Sequence, residues 1–102
     1  MRIKHNVTPK GLYIYFYGEL DEHHASNARD KIDCLIERYS STISVVFYMQ
    51  NLTFMDSTGI GMLIGRYKKL KNMNIPAYIE SPSFSADKVF TVSGIYKLIP
   101  KI

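Results

Sequence analysis

The hydrophobic and polar positions of this chain divide it into short apolar runs and longer stretches in which apolar residues recur every three or four positions. Dense runs of aromatic and β-branched residues predict strands, and the three-to-four spacing predicts amphipathic helices. We therefore predict strands at residues 3–7, 12–17, 43–49, 75–80 and 96–99, and helices at about 22–39, 60–71 and 81–94. The predicted order is ββαβαβαβ.

This alternation of strands and helices predicts an α/β fold with a largely parallel sheet and right-handed crossovers. The turn Thr8-Pro9-Lys10-Gly11 is expected to join the first two strands into a hairpin. Residues 43–49 are almost continuously apolar, which is typical of a strand covered on both faces. Residues 51–56 are predicted to form a loop that is held on the core by Leu52, Phe54 and Met55.

Each predicted helix has an apolar face that we expect to pack on the sheet. In the first helix this face consists of Ala25, Ala28, Ile32, Leu35, Ile36 and Tyr39. In the second it consists of Ile60, Leu63, Ile64, Tyr67 and Leu70. The apolar contacts of the third helix are expected to come from Phe84, Val89, Phe90 and Val92.

Composition narrows the class of protein. The 102 residues suit one domain, which we expect to span residues 1–102, and 46% hydrophobic residues are enough to build its core. Cys34 is the single cysteine, so no internal disulfide can form and a cytoplasmic location is the simplest interpretation. No apolar run approaches the roughly 20 residues of a membrane helix, and no signal peptide is apparent. We therefore expect no membrane association.

The net charge of +4 raises the possibility of a nucleic-acid partner. Most of the positive charges are dispersed, and the one cluster is Arg66, Lys68, Lys69 and Lys71, late in the second helix. Cations at that position complement the carboxyl end of the helix dipole. We favour a solvated helix face there over a nucleic-acid patch, and we expect no nucleic-acid partner.

The stretch Asp56-Ser57-Thr58-Gly59-Ile60-Gly61 lies between an apolar strand and a helix. Asp, Ser and Thr are common N-caps, because their oxygens accept the unpaired N–H groups of the first helical turn. The same end of a helix also favours a phosphate. Gly59, Gly61 and Gly65 make a poor helix start, since each glycine costs about 1 kcal/mol relative to alanine. Such small residues leave a surface that another molecule can approach closely, so we expect a contact surface here.

A second polar segment, Gly18-Glu19-Leu20-Asp21-Glu22-His23-His24, also follows a strand and precedes a helix. Loops after the carboxyl ends of parallel strands gather at one edge of the sheet, so these carboxylates are expected near the first polar stretch. They could attract a cation of a partner or a kinase-bound Mg²⁺. The two adjacent histidines point about 100° apart on a helix and would chelate a metal poorly. We expect no metal site.

Catalysis is not supported by the sequence. No nucleophile, base and orienting group stand in a recognisable arrangement. Cys34 has no local activating pattern and is interpreted as a structural thiol. No glycine-rich loop ends in Lys-Ser or Lys-Thr, so no phosphate-cradling loop is present. We expect a protein that is not an enzyme and has no cofactor.

Three segments in this order resemble the STAS domain and, more narrowly, the bacterial anti-sigma factor antagonists of the sporulation type. They are Gly18-Glu19-Leu20-Asp21, the stretch from Leu52 to Gly61 continued by Gly65-Arg66-Tyr67-Lys68, and the tail from Ser81 to Ile99. The resemblance covers nearly the whole chain and implies the STAS fold, with a mostly parallel or mixed sheet of four to five strands. This family usually continues into a further C-terminal helix, which we expect to be absent or truncated here.

The resemblance also implies the functional residues. Ser57 would be phosphorylated by an anti-sigma factor that is itself a nucleotide-bound serine kinase, with Thr58 as the neighbouring alternative. The residues expected to bind this partner are Glu19, Asp21, Asp56, Ser57, Thr58, Gly59, Ile60 and Gly61. The unmodified domain, monomeric when free, would bind the kinase and release the sigma factor, and a serine phosphatase would restore it after phosphorylation.

The mechanism that the resemblance implies is a charge switch. A phosphate adds about −1.5 to −2 charges at pH 7, next to carboxylates that already lie in the interface. A penalty of about 3 kcal/mol lowers affinity more than a hundredfold, without a change of fold. Three alternatives remain open: an antagonist for a stress-response sigma factor, a receiver domain phosphorylated on Asp56, and nucleic-acid binding through residues 66–71.

Overall fold

The computed structural model describes all residues from Met1 to Ile102 and contains five strands and three α-helices. The strands are β1 (Arg2–Thr8), β2 (Gly11–Leu20), β3 (Val45–Tyr48), β4 (Leu52–Met55) and β5 (Ala77–Glu80). The helices are α1 (Ala25–Arg38), α2 (Ser57–Asn72) and α3 (Phe84–Ser93), and a 3-10 helix follows at Ile95–Lys97.

The strands form a mixed sheet in the order β1-β2-β3-β5, and β4 pairs with the end of β2. Only β1 runs antiparallel, and it forms the expected hairpin with β2. The hairpin turn requires Gly11, which has φ +144 and whose Cβ would lie 2.6 Å from the Ser44 carbonyl oxygen. The prediction of an α/β fold with a mixed sheet of four to five strands is confirmed.

The core lies between the helices and one face of the sheet. Alternate residues of β2, namely Leu12, Ile14 and Phe16, are completely buried there. They belong to one cluster of 25 buried residues to which all three helices contribute. The helical members of this cluster are Ala25, Ala28, Ile32, Leu35, Ile36, Ile60, Met62, Leu63, Leu70, Ala86 and Phe90. The predicted apolar faces of the first two helices are thus confirmed, with Tyr39, Ile64 and Tyr67 only partly buried against the cluster and Met62 in addition.

The predicted apolar face of α3 is only partly correct. Phe90 is buried and Val89 is half-buried, but Phe84 and Val92 are 79% and 89% exposed. Ala86 is buried instead, one turn before Phe90. A short helix at the rim of the sheet buries only one narrow stripe, so its other apolar residues remain on the surface.

Two predicted elements are wrong. Residues 51–56 are not simply a loop, because Leu52–Met55 forms β4 beside an extension of β2 that the sequence prediction ended at Tyr17. Residues 96–99 are not a strand, because Gly94 ends α3 in the left-handed conformation (φ 76) and a 3-10 helix follows. The edge of β5 is met instead by a single bridge between Ile79 and Lys101.

The ends of two helices also differ from the prediction. Helix α1 begins at Ala25 rather than near Glu22, because the preceding turn is closed by the Asp21 carboxylate. Helix α2 begins at Ser57, three residues before the predicted start at Ile60.

Cys34, interpreted as a structural thiol, is exposed on α1. None of the helices has the length and apolar character that crossing a membrane requires.

Candidate functional site

The two polar stretches singled out in the sequence meet where β2 and β4 end. Leu20 and Met55, the last residues of these strands, are partners in the parallel pairing. The Asp56 N–H donates to the Leu20 carbonyl oxygen at 3.5 Å, and the Glu22 N–H donates to Asp56 Oδ2 at 3.2 Å. The loop before α1 and the start of α2 are therefore joined directly, as their positions after neighbouring strands predict.

Asp56 is the N-cap of α2. Its Oδ1 accepts the Gly59 N–H at 3.0 Å while its Oδ2 accepts the Glu22 N–H, so both carboxylate oxygens are used by the backbone. Ser57 and Thr58 are the first two residues of the helix, and both are exposed. The capping role that a serine could have filled here thus belongs to the preceding aspartate, and the Ser57 hydroxyl faces the surface.

The glycines of α2 have two different roles. A Cβ on Gly59 would lie 2.6 Å from the Leu20 carbonyl oxygen, so this glycine lets the helix approach β2. Gly61 and Gly65 have nothing within 4 Å of such an added atom. The open surface that the sequence suggested is therefore formed by Gly61 and Gly65, whereas Gly59 is required for packing.

Two shallow grooves border the start of α2. The first, about 340 Å³, lies between α1 and α2 and is lined by Thr58, Gly61 and Gly65 together with arginines of both helices. The second, about 370 Å³, lies between α2 and α3. Its lining residues are Ser57, Ile60, Lys88, Val89, Val92 and Ser93. Ser57 thus stands at the rim of a mostly apolar groove with one cation.

The contribution of α3 to this groove was missed by the sequence reasoning. Val92 was assigned to the core, although it is 89% exposed beside Ser57. The available signal was that Ala86 and Phe90 already form the buried stripe of a ten-residue helix, which leaves Val92 on another side.

The acidic segment before α1 contains one structural carboxylate. Asp21 Oδ1 accepts the His23 and His24 N–H groups at 3.0 and 3.1 Å and lies 2.7 Å from His24 Nδ1. Burial raises the pKa of Asp21, but its hydrogen bonds and the charge of His24 outweigh burial and hold the pKa below its ordinary value. Glu19 and Glu22 are exposed and free to meet a partner.

Glu19, Asp21 and His24 place one potential metal-ligand atom each within 4.8 Å of one another. This set differs from the adjacent His23 and His24 considered in the sequence. The hydrogen bonds of Asp21 account for its position, because a carboxylate that closes a turn is already satisfied by backbone donors. We therefore assign no metal to this cluster.

The basic cluster of α2 is only partly a solvated face. Arg66 Nε lies 2.9 Å from Asp33 Oδ1, and Lys69 Nζ lies 3.1 Å from Glu37 Oε1. The Arg66 side chain is 13% exposed, so two of the four cations pair with carboxylates of α1. Lys68 remains exposed. This pairing disfavours the alternative of a nucleic-acid patch at residues 66–71, because paired cations are not available to phosphates.

Comparison with known proteins identifies the family to which the sequence is similar. A sequence model of the STAS domain matches residues 1–102. The anti-sigma F factor antagonist of Lysinibacillus sphaericus is 34% identical over 89 residues, which cover 87% of this chain and 75% of that protein. The anti-sigma-B factor antagonist of Staphylococcus aureus is 27% identical over 82 residues, which cover 80% of this chain and 74% of that protein.

Solved structures of anti-sigma factor antagonists also have a similar fold. The unphosphorylated form of the anti-sigma factor antagonist SpoIIAA superposes with a TM-score of 0.79 and 28% identity, covering 99% of this chain and 88% of that one. The phosphorylated form of the Bacillus cell fate determinant SpoIIAA gives a TM-score of 0.72 and 28% identity, covering 99% and 91%.

Proposed function

The chain belongs to the STAS domain family, and from that membership we propose that it is an anti-sigma factor antagonist that counteracts an anti-sigma F factor. The identity of 34% to an anti-sigma F factor antagonist supports this target over the anti-sigma-B type, for which the identity is 27%. The domain acts by binding rather than by catalysis. Its place of action is the cytoplasm, where sigma factors control transcription and sporulation.

The control that we propose is phosphorylation of Ser57 by the anti-sigma factor acting as a serine kinase. The observation that carries this proposal is that Asp56 and Ser57 have different roles at the start of α2. Asp56 supplies the cap through the Gly59 N–H, which leaves Ser57 exposed at a helix end that favours a phosphate. Phosphorylated and unphosphorylated forms of SpoIIAA share the fold of this chain, which supports a switch that leaves the fold unchanged.

We propose that the phosphate acts on the surface of this chain that binds the anti-sigma factor. In the unphosphorylated chain that surface includes Glu19, Gly61 and the apolar groove between α2 and α3, at whose rim Ser57 lies. A phosphate on Ser57 places about two negative charges at that rim, close to Asp56. Burying such a charge against a partner without a matching cation is costly, so the phosphorylated form dissociates until a phosphatase removes the group.

Phosphorylation of Asp56 is the competing assignment, and the geometry disfavours it. Both of its oxygens accept backbone N–H groups, from Gly59 and from Glu22. An acyl phosphate at this position would remove the cap of α2 and the link to the loop before α1. Acid treatment separates the two assignments, because a serine ester survives it and an acyl phosphate does not.

The proposed function is tested by displacement of the sigma factor. The organism's anti-sigma factors are purified in complex with their labelled sigma factors, and the chain is added with ADP or with ATP. We expect release of the sigma factor with ADP and loss of that release after incubation with ATP. Ser57→Ala is expected to release the sigma factor under both conditions.

The control is Ser41→Ala, an exposed serine after α1 that should behave like the unaltered chain. Failure to displace any sigma factor would contradict the antagonist assignment. Release that stays sensitive to ATP in Ser57→Ala would contradict Ser57 as the acceptor and favour Thr58.

A further inference from the structure

The face of the sheet opposite the helices carries a concentration of tyrosines. Five of the chain's eight tyrosines, Tyr13, Tyr15, Tyr17, Tyr48 and Tyr78, are half-buried and none of them packs on the main core cluster. They alternate along the strands with the core residues, which is the two-residue period of a strand. This outer face is uncovered, because every helix contributes its buried residues to the cluster on the other side.

The tyrosines contact one another and two cations. Tyr15 lies between Tyr13 and Tyr48, with ring centroids 6.4 and 5.3 Å away. Arg2 and Lys4 lie over the Tyr17 ring at 5.1 and 5.6 Å. Tyrosine and arginine are the residues that concentrate in the centres of protein interfaces, so this face has the composition of a docking surface.

The strand register arranges one row of this face in a self-complementary order. Lys4 pairs with Tyr15, Tyr15 with Tyr48, and Tyr48 with Glu80, so the row across the sheet reads cation, tyrosine, tyrosine, anion. If two copies pack face to face about a two-fold axis parallel to the strands, the row of one copy runs in the opposite direction to the row of the other. Lys4 of each chain then lies over Glu80 of the other chain, and Tyr15 and Tyr48 of both chains lie between these two ion pairs. Neither Lys4 nor Glu80 forms an ion pair within its own chain.

We propose that the tyrosine face is a self-association surface, on which two copies of the chain pack sheet against sheet. Aligned sheets pack about 10 Å apart and within about 30° of each other, which the tyrosine layer can fill. A nucleic acid is a poorer occupant, because Glu80 at one edge of the face would repel phosphates and only Arg2 and Lys4, at the opposite edge, would attract them. Ser57 lies on the helical side, so the dimer leaves it accessible.

The size of the face sets the strength of the dimer. Four strands about 4.8 Å apart and three rows about 7 Å apart span roughly 20 by 20 Å, below the area of stable protein complexes. The dimer is therefore weak, and the chain is monomeric when dilute. At high local concentration the chain dimerises, and each dimer carries two Ser57 residues.

Charge reversal tests this arrangement by sedimentation equilibrium from about 10 μM to about 1 mM. Lys4→Glu alone places carboxylate over carboxylate, and Glu80→Lys alone places cation over cation, so each variant is expected to self-associate about tenfold more weakly. An equimolar mixture restores both attractive pairs and is expected to dimerise like the unaltered chain. Each substitution changes the net charge of +4 by two, so both variants stay positive and cannot attract through net charge.

The matched control is Lys68→Glu, an exposed lysine on α2 that has the same charge change and lies away from this face. Because its Lys4 and Glu80 are intact, Lys68→Glu alone should dimerise like the unaltered chain, and it should form fewer mixed dimers with Glu80→Lys than Lys4→Glu does, since one of the two pairs in such a dimer is repulsive. A chain that is monomeric at 1 mM would overturn the proposal, as would a mixture that associates no better than its components. Binding of a single-stranded oligothymidylate that Tyr15→Ala abolishes, in a chain that stays monomeric, would assign the face to nucleic acid instead.

Discussion

A serine lies at the start of both α2 and α3, and the two serines have different roles. Ser83 is the N-cap of α3, and its Oγ accepts the Ala86 N–H at 3.3 Å. At α2 the same bond, three residues ahead, is accepted by Asp56, and Ser57 follows as the first helical residue. Residue type alone therefore does not separate a structural hydroxyl from an available one. The preceding residue does, because the helix needs only one cap.

The largest effect that separates the two serines is expected in partner binding. Ser57→Asp places a charge in the proposed interface and should lower the affinity for the anti-sigma factor about a hundredfold, or about 3 kcal/mol. Ser83→Asp should leave binding within about twofold, because aspartate is an equally good N-cap. Isothermal titration calorimetry measures both, and equal losses in the two variants would place the partner elsewhere.

Gly59 and Gly61, in the first two turns of α2, offer the next largest contrast, in stability. Gly59→Ala should lower the free energy of unfolding by about 2 kcal/mol, because its Cβ would collide with the Leu20 carbonyl oxygen. Gly61→Ala should raise it by up to about 1 kcal/mol, since its Cβ meets open space and alanine favours a helix. Urea unfolding measures both changes. A stable Gly59→Ala would show that α2 can shift away from β2.

The caps themselves give a smaller difference. Asp56→Ala and Ser83→Ala should each cost about 1 kcal/mol, with Asp56 the more costly because it also accepts the Glu22 N–H. Ser57→Ala should change stability by less than about 0.5 kcal/mol. Thermal unfolding of the three variants measures these values. A loss on Ser57→Ala as large as that on Ser83→Ala would mean that Ser57 is structural after all.

The smallest effect concerns how the free energy of unfolding falls in acid, and it involves Asp21 before α1 and Asp87 on α3. Hydrogen bonds from Tyr96 and Lys101 hold the pKa of Asp87 low, as the contacts of His24 do for Asp21 despite its burial. A carboxyl with a lowered folded pKa contributes stability above its unfolded pKa, near 3.9, and loses it as the pH falls through the folded value. Asp21→Asn and Asp87→Asn should each flatten the fall in stability from pH 5 towards pH 2.

Unfolding series at several pH values, with Asp30→Asn as an exposed control, measure this slope. An unchanged slope in both variants would show that these hydrogen bonds do not persist in solution.

The sequence predicts the parts of the fold that depend on local pattern. The helical stripes of α1 and α2 recur at regular spacing, and their buried residues follow from it. Strand β4 could not be predicted, since Leu52 and Met55 are buried while the residues between them are exposed, and its pairing with β2 is non-local. Gly94 was correctly placed as the end of α3, but nothing local indicated that a 3-10 helix would follow it.

The candidate site is predictable to a similar degree. The meeting of the two polar stretches follows from parallel strands, whose ends share one edge. The choice of Asp56 over Ser57 as the cap depends on the last residue of β4 and on the Glu22 N–H, which come from different parts of the chain. The groove residues of α3 depend on which apolar residues of that helix pack on the core, and the spacing of its apolar residues alone does not choose Ala86 and Phe90 over Phe84 and Val92.

We propose that Ser57 accepts the phosphate because Asp56 already caps α2. The most direct measurement is phosphopeptide mapping by mass spectrometry after incubation with the anti-sigma factor and ATP, alongside Ser57→Ala and Ser83→Ala. We expect one phosphate, on Ser57, which is lost in Ser57→Ala and kept in Ser83→Ala. A phosphate on Thr58 or Ser83, or labelling that survives Ser57→Ala, would contradict it.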